Sequence, residues 1–197
     1  IAEVVLRVDN EKSCCHLLIT GHGSSSPDMK DGDVLVALES SGLHTNGFSL
    51  ARRIVSERLK LTVSDPFPGD SGTVGESLLS VHRSYLKALR PVLSKVHGMA
   101  HITGGGIPGN LNRALPPQLD AVVDTATWKI PNLFQQLERA GGVSRSEMFR
   151  TFNMGVGMVV IAAEAHVADV VDAATAAGVP AWRLGIVRPG TGQVILN

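Results

Sequence analysis

The sequence predicts an α/β or α+β domain with helices packed on a sheet, and three observations carry that expectation. Alternating or β-branched runs of strand length recur along the chain, segments of helical spacing separate them, and glycine, proline or capping residues punctuate the joins. With 197 residues, 44% of them apolar and 18% charged, the chain can bury a sizeable core within one domain.

Strand patterns fall at Val4–Val8, Leu17–Thr20, Asp33–Leu38, Met99–Thr103, Ala121–Val123, Met158–Ala162 and Trp182–Val187. From Phe48, the apolar residues Leu50, Ile54, Val55 and Leu59 line one face of a helix. Leu78, Leu79, Tyr85, Leu86, Leu89 and Leu93 predict a long helical region that Pro91 kinks or restarts. Residues Ile130–Ala140 read as a helix with Pro131 in its first turn and Gly141-Gly142 at its end. Ser144 and Glu147 form an S-x-x-E capping box. The Ala/Val-rich stretch Glu164–Ala177 stops at Gly178-Val179-Pro180, and Asp65–Gly75 reads as a long loop.

Composition excludes several classes. Eighteen Lys+Arg balance eighteen Asp+Glu, which argues against a polybasic nucleic-acid surface or an acidic tail. The longest apolar stretch, near Met154–Ala163, is broken by glycine and falls short of the ~18–20 residues of a membrane helix. Cys14 and Cys15 are adjacent, build no disulfide framework, and read as small apolar residues of a reducing compartment. The chain opens at Ile1 directly into a strand-like run, so a fragment of a longer protein is expected.

Chemistry concentrates in three glycine-bearing segments. Ser40-Ser41-Gly42-Leu43-His44-Thr45-Asn46-Gly47 links a strand to the helix from Phe48, where backbone N–H groups and hydroxyls suit a phosphate or carboxylate. His44 there is either a donor or acid/base group, or an exposed loop residue beside a helix capped by Thr45 or Asn46. In His101-Ile102-Thr103-Gly104-Gly105-Gly106-Ile107-Pro108-Gly109-Asn110, three glycines follow a strand and let N–H groups converge on an anion. Gly104, Gly106 and Gly109 also satisfy G-x-G-x-x-G, with Asp124 about twenty residues on, formally a dinucleotide fingerprint; a tight turn is the plain alternative. In Phe152-Asn153-Met154-Gly155-Val156-Gly157-Met158, Asn153 can bind a ligand through its amide, or the segment serves packing alone. Trp128 belongs to the core or walls a pocket. No Cys/His group has zinc spacing; His16, His22, His82, His97 and His166 are scattered and expected at surface or capping positions.

Taken in order, S-S-G-L-H-T-N-G-F-S-L, H-I-T-G-G-G and F-N-M-G-V-G-M resemble the C-terminal domain of the phosphoribosylformylglycinamidine cyclo-ligase (aminoimidazole ribonucleotide synthetase) family. Gly32-Asp33-Val34-Leu35 and Asp124–Phe134, with Trp128-Lys129-Ile130-Pro131, fit the same pattern, so the likeness runs from about Asp31 to Val187. The first 30 residues, with Cys14-Cys15-His16 and Gly23-Ser24-Ser25-Ser26, do not, and are set apart as an atypical segment before a domain of residues 31–197. Formylglycinamidine ribonucleotide synthetase, selenophosphate synthetase, thiamine-phosphate kinase and a hydrogenase maturation protein share the architecture. H-T-N-G-F-S-L and W-x-x-P favour the cyclo-ligase.

The resemblance implies an α+β fold of three layers, α/β/α, with a mixed sheet. It implies an ATP-dependent ring closure in purine synthesis: phosphorylation of the formyl amide oxygen, attack by the amidine nitrogen, and loss of phosphate. His44 and Asn46 then stand as catalytic candidates. Ser41, Gly42, Thr103, Gly104, Gly105, Gly106 and Asn153 are the candidates for substrate or phosphate binding. ATP and Mg2+ are the implied cofactors, with the metal ligands expected in an N-terminal domain that this chain lacks. A homodimeric cytoplasmic enzyme follows, with no nucleic-acid or membrane partner.

Overall fold

Five consecutive apolar residues, Val34 to Leu38, make a strand buried on both faces, and the rest of the fold is arranged around it. The computed structural model describes residues 28–197 in full, together with the backbone of Glu3–Asp9 (β1) and Cys14–Thr20 (β2). β1 and β2 pair antiparallel, Glu3 opposite Thr20. The side chains of Cys14, Cys15 and His16, and residues 21–27 with His22 and Gly23–Ser26, lie outside the described residues.

The main sheet has six strands: β3 (Val34–Glu39), β4 (Val96–His101), β5 (Leu119–Val123), β6 (Val156–Ala162), β7 (Ala181–Pro189) and β8 (Val194–Leu196). Their spatial order is β4-β6-β3-β7-β5-β8, antiparallel throughout except for the parallel β5/β8 pair. Strand alternation sends successive residues to opposite faces. On one face Leu35, Ala37, Val159 and Ile161 join Ile54, Phe134, Leu137, Met148 and Phe149. On the other, Val34, Val36, Leu38, Val160 and Ala162 join Leu89, Val92, Val170 and Ala174. Each such buried Val, Leu, Ile, Phe or Met side chain contributes roughly 1.5–3 kcal/mol of transfer free energy. The three layers expected from the resemblance are present.

The first face carries α1 (Phe48–Arg53), whose last turns widen through Ile54–Leu59, with α4 (Gly106–Leu111), α5 (Asn132–Gly141) and α6 (Arg145–Thr151). The second carries α3 (Leu86–Leu89), its tighter continuation Arg90–Lys95, and α7 (Val167–Ala176). α5 ends at Gly142 in the left-handed region, and Ser144 accepts from the Glu147 N–H to cap α6. A complete reciprocal capping box sits instead at Thr73 and Glu76, opening α2 (Val74–Leu78).

Two expectations need correction, and one strand was missed. The long helix over Leu78–Leu93 is broken: α2 stops at Leu78 and α3 starts only at Leu86. Between them Arg83 pairs with Glu39, and the Tyr85 hydroxyl donates to Glu39 O at 2.8 Å, so tertiary partners hold the segment against β3. Leu79 and Val81, at 71% and 87% exposure, were apolar without being core. The strand expected at Met99–Thr103 runs Val96–His101, because beyond His101 the chain turns into the glycine loop. β8 was not foreseen; its three residues are ordered by pairing with β5.

Candidate active site

The carboxyl ends of β3 and β4 and the amino end of β6 lie together, since Glu39 pairs with Val156 and His101 with Met158. All three glycine-bearing segments therefore emerge at one end of the sheet. A register shift between Leu38 and Glu39 marks a bulge where β3 leaves the sheet, which turns the chain toward Ser40.

The loop after β3 is built around Asn153. Its Oδ1 accepts from the Ser40 hydroxyl and the Gly155 N–H, each at 2.9 Å, and its Nδ2 donates to Gly42 O at 2.7 Å. Asn153 is 1% exposed with both amide atoms engaged, so the side chain expected to meet a ligand instead braces Ser40 and Gly42 from below. His44 and Thr45 both hold positive φ, 51° and 60°, a conformation that costs roughly 1–2 kcal/mol per non-glycine residue. The Asn46 Nδ2 donates to His44 O at 2.6 Å and helps hold this turn.

His44 is not an exposed loop residue. It is 1% exposed, with Gly157 beneath it: a Cβ at residue 157 would stand 2.8 Å from His44 Cε1 and closer still to the Tyr85 hydroxyl. The Ser41 N–H donates to His44 Nε2 at 3.0 Å, which fixes the neutral ring with its proton on Nδ1. That Nδ1 is buried with no partner. Burial foremost, then the charges of His82, His101 and Arg83, lower its pKa to about 3. Neutral His44 is thus a hydrogen-bond donor rather than a base.

For His82, the expectation of a surface or capping position is overturned. His82 stacks on His44 with ring centroids 4.0 Å apart, and His82 Nε2 lies 3.1 Å from His101 Nε2. Residues 44, 82 and 101 are far apart in sequence; the sheet brings them together. Burial also lowers the His82 pKa.

The second loop faces the first. A Cβ on Gly104 would lie 3.5 Å from Asn46 Oδ1. Asn110 clamps the turn, donating through Nδ2 to the carbonyls of Thr103 (3.2 Å), Gly104 (3.3 Å) and Gly106 (2.8 Å) while accepting from the Thr103 hydroxyl (3.1 Å). The expected cluster of outward N–H groups is smaller than the glycine count suggests, since Gly106 N–H bonds Thr103 O and Gly109 N–H bonds Gly105 O. The dinucleotide alternative fails on topology. That fingerprint needs parallel strands, whereas β4 lies antiparallel to β6, and Asp124 is taken up by the Ala126 N–H in a turn.

Two clefts open from these loops. One of about 520 Å3 is lined by Ser40, Ser41, Gly42, Arg83 and the carboxylates Glu39, Asp70 and Glu76, with Glu39 paired to Arg83. The other, about 720 Å3, runs past Gly105, Gly109, Asn112, Ser146 and Arg150. Arg83 and Arg150 each place a cation beside a predicted anion-binding loop, and neither stands out in the sequence because isolated arginines carry no pattern. Trp128 walls a third, smaller hollow of about 280 Å3 and donates to Met154 O at 3.0 Å.

Mg2+ does not fit the clustered donor set of this chain. Among the described residues, the His/Cys/Asp/Glu group that could share one ion is His44, His82 and His101, and three imidazoles do not suit a hard oxygen-seeking cation. Among the same residues no helix is long and apolar enough to cross a membrane.

Residues 30–197 match the family model described as AIR synthase related protein, C-terminal domain. A phosphoribosylformylglycinamidine cyclo-ligase of Trichlorobacter lovleyi is 42% identical over 171 residues, covering 84% of this chain and 49% of the relative. One of Sorangium cellulosum is 45% identical, covering 79% and 46%. A bifunctional purine biosynthetic protein of Saccharomyces cerevisiae is 45% identical over 164 residues, covering 82% of this chain and 20% of its own length. The chain spans about half the length of the cyclo-ligases it matches. Among solved structures, the thiamine-monophosphate kinase of Stenotrophomonas maltophilia superposes with a TM-score of 0.60 at 16% identity, covering 85% of this chain and 51% of the kinase. The hydrogenase maturation protein HypE gives 0.57 at 17%, covering 92% and 54%. At such identities these two share the fold alone.

Proposed function

Because the chain belongs to the family of AIR synthase related proteins, as their C-terminal domain, we propose that it forms the C-terminal half of a phosphoribosylformylglycinamidine cyclo-ligase. The observation that carries this reading is the meeting of the three motif loops at one end of the sheet, with a serine-rich cleft holding Arg83 beside the first of them. Identity of 42–45% to cyclo-ligases, against 16–17% to the kinase and HypE, favours ring closure over the other ATP-using activities of this fold. Residues 31–197 are the domain unit in this reading, supported by a family match that begins at residue 30.

The reaction needs fixed donors where phosphoryl charge gathers, because positioning and electrostatics carry such transfers. Ser41 and Gly42 line one cleft beside Arg83, which is paired with Glu39, and Gly105 lines the other beside Arg150; in this reading the Thr103–Gly106 turn meets phosphate there. His44 offers its unpartnered Nδ1–H to substrate or phosphate, and Asn46 faces the glycine turn across the gap. Asn153 is a positioning residue for Ser40 and Gly42. ATP and Mg2+ are then held mainly by the other half of the protein, which would also carry the homodimer contact, in a cytoplasmic enzyme without a nucleic-acid or membrane partner.

The test is a chimera of residues 31–197 on the N-terminal half of the Trichlorobacter lovleyi relative, assayed for ADP release that depends on formylglycinamidine ribonucleotide. Activity is expected. A lost hydrogen bond to a charged oxygen is worth roughly 1.5–3 kcal/mol. At about 1.36 kcal/mol per decade, His44→Ala should lower kcat/KM on the order of 10–100-fold. A folded chimera without substrate-dependent ADP release refutes the reading.

A further inference from the structure

Three imidazoles meet beside the candidate active site. One ring nitrogen from each of His44, His82 and His101 lies within 4.8 Å of the other two. The nearest pair, His82 Nε2 and His101 Nε2, is 3.1 Å apart. In a tetrahedral zinc site with Zn–N bonds of about 2.0–2.1 Å, neighbouring ligand nitrogens stand about 3.4 Å from one another. The pair is close to that spacing, and converging all three nitrogens on one ion takes a rotation of His82 out of its stack on His44. We propose that His44, His82 and His101 form a binding site for a borderline divalent transition ion of the Zn2+ type, with a fourth position open. The site shares His44 and Ser41 with the cyclo-ligase reading, so an ion there and a substrate contact at His44 Nδ1 exclude one another, but its test requires neither ATP nor ribonucleotide.

Two further features point the same way. The His44 Nδ1 is buried without a partner in a ring 1% exposed, a costly state that coordination would relieve. Ligation through Nδ1 moves the ring proton to Nε2, so the Ser41 N–H gives up its bond there and the Ser41 hydroxyl, also 3.0 Å away, is left as the acceptor. That hydroxyl gives its own hydrogen to Val81 O at 2.6 Å, so a lone pair faces the imidazole. Ser41 thereby becomes the outer partner that a metal-bound histidine requires. Proton and metal exchange within the ring: the Nδ1 proton leaves, Nε2 takes one up, and the neutral imidazole is kept. Binding also draws His82 out of its stack on His44, since stacked rings aim their lone pairs in parallel. With no carboxylate in the group, the donors suit Zn2+, Ni2+ or Co2+ and reject Mg2+ and Ca2+.

The experiment titrates the full chain with Co2+, reading the visible d–d absorption of a low-symmetry site, and with Zn2+ in competition with a chromophoric chelator. One ion per chain is expected, displaced by Zn2+ and indifferent to excess Mg2+. His82→Asn and His101→Asn should each weaken binding at least 10–100-fold, the range found when a mere outer partner is lost. The paired substitution Cys14→Ser, Cys15→Ser should leave it unchanged. A thermal melt accompanies each variant, and His82→Asn, at a half-buried position, decides the matter should His101→Asn not fold. No saturable binding, or binding that follows the cysteines and ignores His82, overturns the proposal.

Discussion

Gly106 and Gly109 sit in one six-residue helix, yet the same substitution should act on them in opposite directions. At Gly106 φ is +61°, and an added Cβ would stand 1.8 Å from Phe149 O and 3.0 Å from Phe152 O, both backbone atoms at the end of α6. A left-handed alanine costs roughly 1–2 kcal/mol, and forcing a methyl into packed backbone costs about 1–3 kcal/mol more. Gly106→Ala should therefore destabilise the domain by about 2–5 kcal/mol. At roughly 2–4 °C per kcal/mol for a domain of this size, Tm falls by about 4–20 °C. At Gly109 a Cβ meets nothing within 4 Å and φ is not positive. Gly109→Ala should stabilise by about 0.5–1 kcal/mol, because glycine within a helix loses more freedom on folding. Circular-dichroism melts of the two variants beside the parent measure both signs. A Gly106→Ala variant melting within about 2 °C of the parent would falsify the account of how α4 docks on α6.

Two other outcomes follow from the hydrogen-bond inventory and the charge environment. Asn153→Ala leaves the Ser40 hydroxyl, Gly42 O and Gly155 N–H without their partner; at about 1–3 kcal/mol for an unsatisfied buried group, the loss should exceed about 2 kcal/mol in urea unfolding. A change below about 0.5 kcal/mol would show that water replaces the amide at no cost. The His44 ring protons should not titrate between pH 7 and 5 in NMR spectra, since burial first and neighbouring charges next hold its pKa at about 3. In the unfolded chain His44 takes up a proton below about pH 6.5 while the folded ring does not, so stability falls as pH drops from about 6.5 toward 3. His44→Asn should flatten that slope between pH 6.5 and 5, and a midpoint near 6.5 for His44 would refute the buried neutral ring.

The central strands were legible because β3 and β6 are buried on both faces, and such strands read as continuous apolar runs. The α5 stop at Gly141-Gly142 was legible because left-handed Gly142 is a local feature. Local patterning misled at Leu79, whose side chain is exposed while Tyr85 and Arg83 tie the segment to Glu39. β8 escaped because three residues are too few for periodicity, and its order comes from pairing with β5. The loops around His44 and Gly104 could be singled out from glycine placement. The stacking of His82 on His44 could not, because long-range topology alone joins them. Asn153 stood out for the right reason, an amide among glycines, but burial turned it from a ligand contact into a brace.

The strand order has a consequence for biosynthesis. β3 is the first strand of the six-stranded sheet to be made, yet its neighbours are β6 and β7, with Val34 opposite Ala162 on one side and Ile186 on the other. At ~5–20 residues per second, a ribosome delivers those partners on the order of 10 s later. For that interval Val34-Leu35-Val36-Ala37-Leu38, without a charge or a proline, must wait with both edges open, the kind of segment that pairs with a wrong strand. The nascent chain is thus expected to need a chaperone's shelter until β6 emerges, and its yield should respond to translation speed between residues 39 and 156 more than to any change in the finished core.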